Sequence, residues 1–133
     1  MHTPDRPARD RWPAPDRTSL EAFYGRHTPD PATGAPTAAW EAAHLVGLAP
    51  PYPMVLAWAP EVPVRVIRCH RLVAPSLERV LRAIGSHFGD ADALRRAGMH
   101  LFGGAYCHRP VRGGRALSLH AWGAAIDLDP ARN

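Results

Sequence analysis

Ser118-Leu-His120-Ala-Trp-Gly123-Ala-Ala-Ile-Asp127 sets an imidazole and a carboxylate seven residues apart, joined through a glycine turn. Imidazole nitrogen and carboxylate oxygen are both good ligands for zinc, and a catalytic zinc takes three protein ligands with a fourth position left open. His120 and Asp127 supply two of the three. The third is expected from sequence beyond Asn133.

A histidine at a turn and an aspartate on a strand are common polar residues, so H-x6-D by itself is a weak pattern. Its surroundings strengthen it. Ser118 precedes the histidine by two residues, Gly123 follows it by three, Ala125 is small, and Arg109 stands nine residues upstream of Ser118.

Several elements must position these groups. Ala124 to Asp129 reads as a strand with Ile126 and Leu128 facing a core, leaving Ala125, Asp127 and Asp129 on the opposite face. Gly113 and Gly114 in the preceding loop permit backbone angles closed to other residues. Upstream, Leu77, Val80, Leu81, Ile84 and Phe88 recur at helical spacing after Pro75-Ser76. A shorter helical turn is expected from Asp90 to Ala97, ending at Gly98. Met54 to Trp58 and Val62 to Arg68 read as strands. Thr37 is placed to cap a helix running through Trp40, His44 and Val46 to a stop at Gly47.

Composition sets the outer limits. A chain of 133 residues makes one domain, with 46% hydrophobic and 21% charged residues, as in a globular protein. All 16 basic residues are arginine, and lysine and glutamine are absent, a bias that matches a GC-rich coding sequence more than a function. The net charge of +4 suits an anionic partner, but the arginines form no run, and nucleic acid is not the expected partner. Cys69 and Cys107 make no disulfide framework and are expected as reduced, buried thiols. The first ten residues contain no apolar run of the kind a secretory signal requires, and no stretch is long enough to span a membrane. Synthesis in the cytoplasm is the expectation. Residues 1–17, rich in proline, arginine and aspartate, read as a flexible arm, and residues 18–133 as part of a single domain.

The stretch from Gly103 to Pro130 resembles the D-alanyl-D-alanine carboxypeptidase family of zinc peptidases, which includes vancomycin-resistance dipeptidases and phage endolysins that cut L-alanyl-D-glutamate bonds. The family signature, S-x-H-x-x-G-x-A-x-D with an upstream arginine, is matched at Ser118, His120, Gly123, Ala125, Asp127 and Arg109. The resemblance is strong over residues 101–133, looser over 37–100 and absent from the first 17.

The resemblance implies Zn2+ held by His120 and Asp127, Arg109 on the substrate or oxyanion, and Ser118 as a hydrogen-bonding residue of the site. It implies a peptidoglycan stem peptide as substrate and an α+β fold of the Hedgehog and D-Ala-D-Ala-peptidase kind, with helices on a small, mostly antiparallel sheet. Members of the family continue into an acidic general base and a third zinc histidine. Neither has a counterpart before Asn133, so the chain reads as the N-terminal portion of such a domain. Action on the cell wall, after a phage-type release, follows as an expectation. The alternative is a non-catalytic peptidoglycan-binding module that keeps the cleft.

Overall fold

The computed structural model describes residues 12–108 and 117–133; Arg109, Gly113 and Gly114 lie outside the described residues. Helix α3 (Ala74–Phe88) carries the apolar spacing seen in the sequence, with Pro75 in its first turn, Leu81 fully buried and Gly89 closing it at φ 81°. Val80, counted on the same apolar face, is instead 55% exposed. Helix α4 (Ala91–Ala97) is bounded as expected. The Asp90 carboxylate accepts from Ala93 N, and Gly98 ends it in the left-handed conformation.

Two helices precede these. Helix α1 (Arg17–Tyr24) is capped by Asp16, which accepts from Ser19 N at 2.8 Å. It begins at the arginine that was expected to end the arm. Just before it, Trp12 packs its ring 5.9 Å from that of Phe23. Helix α2 (Ala38–His44) starts where Thr37 accepts from Trp40 N, but it stops at His44, short of Gly47. Leu45–Leu48 is strand β1, drawn into antiparallel pairing with β4 (Ile67–His70). Hydrogen bonding to a neighbouring strand overrides the local helical pattern there.

The run Val62–Arg68 also divides. Val64 N, just past strand β3 (Ala59–Pro63), still donates to Met54 O at 2.9 Å, and β4 begins at Ile67 in a different sheet. The second sheet has the order β3-β2-β5-β6, with β2 (Val55–Leu56), β5 (Leu101–Gly104) and β6 (Asp127–Leu128). Among the described strands only β2 and β5 run parallel. The fold is therefore α+β, with two small sheets among the described residues rather than one.

Strand β6 is shorter than the Ala124–Asp129 expected. Asp129 turns left-handed at φ 52° and is 4% exposed, its carboxylate 2.6 Å from Arg132 Nε. It leaves the strand and does not share a cleft-facing row with Asp127.

Two cores result. Met54, Ile67, Leu81, Leu94 and Phe102 pack between α3, α4 and the sheets. Leu20, Tyr24, Trp40, Ala121 and Trp122 join α1 and α2 to the His120 turn. Both cysteines are free; Cys69 is buried, whereas Cys107, expected to be buried too, is exposed. Among the described residues, no helix is long and apolar enough to cross a membrane.

Candidate functional site

The His120 turn is a short 3-10 helix, Leu119–Trp122, and its sequence explains its shape. Ser118 Oγ accepts from His120 N at 3.2 Å, capping the first turn. Gly123 closes it at φ 71°, and a Cβ there would lie 2.8 Å from the backbone nitrogen of His70. That nitrogen donates to Gly123 O at 2.9 Å, which docks the turn directly on β4. The glycine of the motif is needed for both its backbone angle and its close approach.

His120 Nδ1 lies 2.7 Å from the carbonyl oxygen of Ala105, just past the end of β5. A carbonyl can only accept, so Nδ1 carries the proton and Nε2 faces outward. Nε2 lies 3.3 Å from Asp127 Oδ2. The backbone of the turn is held to the same segment, because Cys107 N donates to His120 O at 2.9 Å.

Asp127 reaches this position through two glycines. It pairs opposite Gly104 across a bulge in the β5–β6 ladder. A Cβ on Gly103 would come 3.0 Å from Asp127 Cβ and 2.8 Å from Pro130 Cγ. The Phe102-Gly-Gly-Ala105 stretch thus opens the space in which the carboxylate and the imidazole meet.

The pair fits a zinc ion in part. A tetrahedral ion bound at about 2.0–2.1 Å holds any two of its ligand atoms about 3.3–3.4 Å apart. The 3.3 Å between Nε2 and Oδ2 matches that spacing and exceeds the usual 2.7–2.9 Å of a charge-assisted hydrogen bond. The donor to Ala105 is the kind of outer hydrogen bond that fixes a metal-binding histidine's tautomer. The His120 side chain is 13% exposed and that of Asp127 46%, so the pair opens to solvent on the carboxylate side. Among the described residues, no group of three or more histidine, cysteine, aspartate or glutamate side chains is placed to hold a metal.

Of the residues expected in the site, His120 and Asp127 are brought together, and Arg109 lies outside the described residues. Ser118 is present as the cap of the turn, its oxygen engaged by the His120 backbone. Trp122 is fully buried and donates its indole N–H to Gly25 O at 3.0 Å, so it packs the turn. Behind the segment between the two candidate ligands lies an apolar groove of about 380 Å³, lined by Trp12, Leu20, Val80, Leu119, Ala124 and Ala125 among others.

A second group of side chains around the turn was not singled out in the sequence. His27 Nε2 donates to Ala121 O at 2.6 Å, and its ring packs 4.4 Å from Trp40 and 4.9 Å from Trp122. His70 is fully buried; its Nε2 donates to Tyr24 O at 2.7 Å, and its Nδ1 accepts from Leu72 N at 3.1 Å. Trp40 Nε1 donates to Arg26 O at 2.9 Å. Burial lowers the pKa of both His27 and His70, outweighing the hydrogen bonds that favour protonation. Burial, with the Glu41 carboxylate beside its hydroxyl, holds Tyr106 well above the usual phenol range. These residues lie far apart in the chain, and no spacing rule could have joined them.

No family model, curated protein or solved structure matches this chain.

Proposed function

We propose that this chain carries the first half of a zinc centre in a peptidoglycan peptidase, of the D-Ala-D-Ala carboxypeptidase or L-Ala-D-Glu endopeptidase type. The observation that carries the reading is the His120 Nε2 to Asp127 Oδ2 separation of 3.3 Å, with Nδ1 anchored on the Ala105 carbonyl. Two donors at zinc spacing, one with its tautomer set, are what such a centre asks of this part of the chain. The resemblance of the motif adds the substrate class and the peptidase-like fold.

In this reading His120 and Asp127 hold the metal, and further ligands come from outside the described residues. Zinc, when bound, lowers the pKa of a water and polarises a carbonyl. Ala105 keeps the proton on His120 Nδ1, so that Nε2 offers its lone pair. Ser118 and Gly123 hold the turn, and Gly103 keeps the carboxylate's approach open. Arg109 is assigned to the substrate carboxylate or the oxyanion, and the acidic base lies beyond the motif. The whole domain acts on the cell-wall peptide.

Zinc titration of the chain tests this, with His120→Ala and Asp127→Ala as controls. The expected result is saturable uptake that each substitution weakens by at least about 100-fold, more than the effect of losing an outer-shell partner. Uptake unchanged by either substitution, or no uptake, would overturn it. Muropeptide binding that ignores zinc and both substitutions would favour a binding module instead.

A further inference from the structure

Three successive carbonyls at the end of α1 each accept one ring N–H from a different part of the fold. Tyr24 O takes it from His70 on β4, Gly25 O from Trp122 in the His120 turn, and Arg26 O from Trp40 on α2. The next residue reverses the direction, as His27 donates back to Ala121 O. The α1 segment is thereby tied to the turn, to the strand behind it and to α2 by four ring N–H bonds, two of them from histidines. Carbonyls at a helix C-terminus otherwise lack partners, so these bonds define how α1 docks.

We infer that His27 and His70 form a proton-sensitive clamp, which holds α1 on the His120 turn when both rings are neutral and releases it on acidification. The geometry carries the argument. His70 Nδ1 accepts from Leu72 N while Nε2 donates to Tyr24 O, so a second proton on that ring would set one N–H against another inside a fully buried site. Among the described residues His27 Nδ1 is buried without a hydrogen-bond partner, and a proton placed there would gain no acceptor from them.

The surrounding charges reinforce this for the most part. His27 faces the His108 ring at 4.8 Å, with Arg17 and Glu21 on α1; the first two disfavour a second positive charge, and Glu21 opposes them. His70 faces Tyr24 on α1, His44 on α2 at 6.0 Å and Arg71 in the turn just past β4, and the last two disfavour its protonation.

The direction of the effect follows by linkage. Both histidines titrate below their ordinary value in the folded chain, so the released state takes up protons first. Docking is complete above about pH 6.5 and weakens as pH falls from there towards the lowered folded values. Over that window the released fraction grows by up to about tenfold per pH unit for each histidine. That the clamp thereby governs a metal site rests on the reading of His120 and Asp127 given above; the clamp itself does not.

The test is a pH titration from 8 to 5 without metal, following tryptophan emission, amide exchange of α1 and residues 119–124, and the histidine ring proton shifts. The proposal expects a reversible transition below pH 6.5, with α1 and turn amides exposed together. The same transition should persist in His120→Ala, which separates it from the metal reading, and should vanish in His27→Gln/His70→Gln, whose amides donate without titrating. If the double variant does not fold, the ring shifts of the unsubstituted chain decide. Both histidines titrating at or above 6.5, or α1 amides unmoved as they titrate, would overturn the clamp.

Discussion

Trp122 donates its indole N–H to the Gly25 carbonyl across 97 residues of sequence, at 3.0 Å. The bond fastens the turn that carries His120 to the end of the first helix. Removing it while keeping most of the ring tests its weight. Trp122→Phe leaves the Gly25 carbonyl without that donor and should cost about 1–3 kcal/mol of stability, read by urea denaturation. Trp122→Ala also empties a fully buried site and should cost about 3–5 kcal/mol.

Gly123→Ala combines two penalties at one position. It places a side chain at φ 71° and a Cβ 2.8 Å from His70 N, a backbone atom that cannot swing aside. A loss of about 2–3 kcal/mol is expected, with zinc uptake falling because the turn must move. Stability and uptake both unchanged would show that the turn tolerates the substitution.

Gly103→Ala acts on the other candidate ligand. Its new Cβ would press on Asp127 Cβ and Pro130, shifting the carboxylate from its 3.3 Å relation to His120. Zinc affinity should fall by about 10–100-fold, the range seen when supports of a metal ligand are disturbed. Isothermal titration of the folded variant measures it.

The two thiols should separate cleanly in reactivity. Burial pushes the Cys69 thiol up to about 11, whereas Cys107 is exposed. A raised thiol pKa means the thiolate is scarce until the pH nears that value, so at pH 8 only about one thiol in a thousand at position 69 is reactive. Titration with a disulfide reagent should give one fast equivalent, lost in Cys107→Ser, and a second only on unfolding. Two fast equivalents would contradict the burial of Cys69.

Helices α3 and α4 were legible because their signals are local. Pro75 at a helix start, apolar residues at helical spacing, and Asp90 and Gly98 at the ends of α4 act within a turn or two of chain. Strand limits were read less well. Leu45–Leu48 leaves a helical pattern because β4 is there to pair with it, and Val62–Arg68 splits because its two ends pair with different strands, β2 and β1. Helix α1 is not evident in the sequence, where Leu20, Phe23 and Tyr24 make only a short apolar patch, and Asp16 caps it in the fold.

At the site, sequence alone determined the two side chains able to share a metal and the glycine that turns the chain between them. Residue type settles what an atom can ligate, and Gly123's role depends on backbone angles that few other residues adopt. Tertiary structure decided the rest. The Ala105 carbonyl that orients His120, the space over Gly103 that admits Asp127, and the four ring N–H bonds that clamp α1 are all made between segments far apart in the chain. Backbone carbonyls have no signature in a sequence, and a histidine's partner is chosen by packing, so these contacts exist only once the two cores have closed.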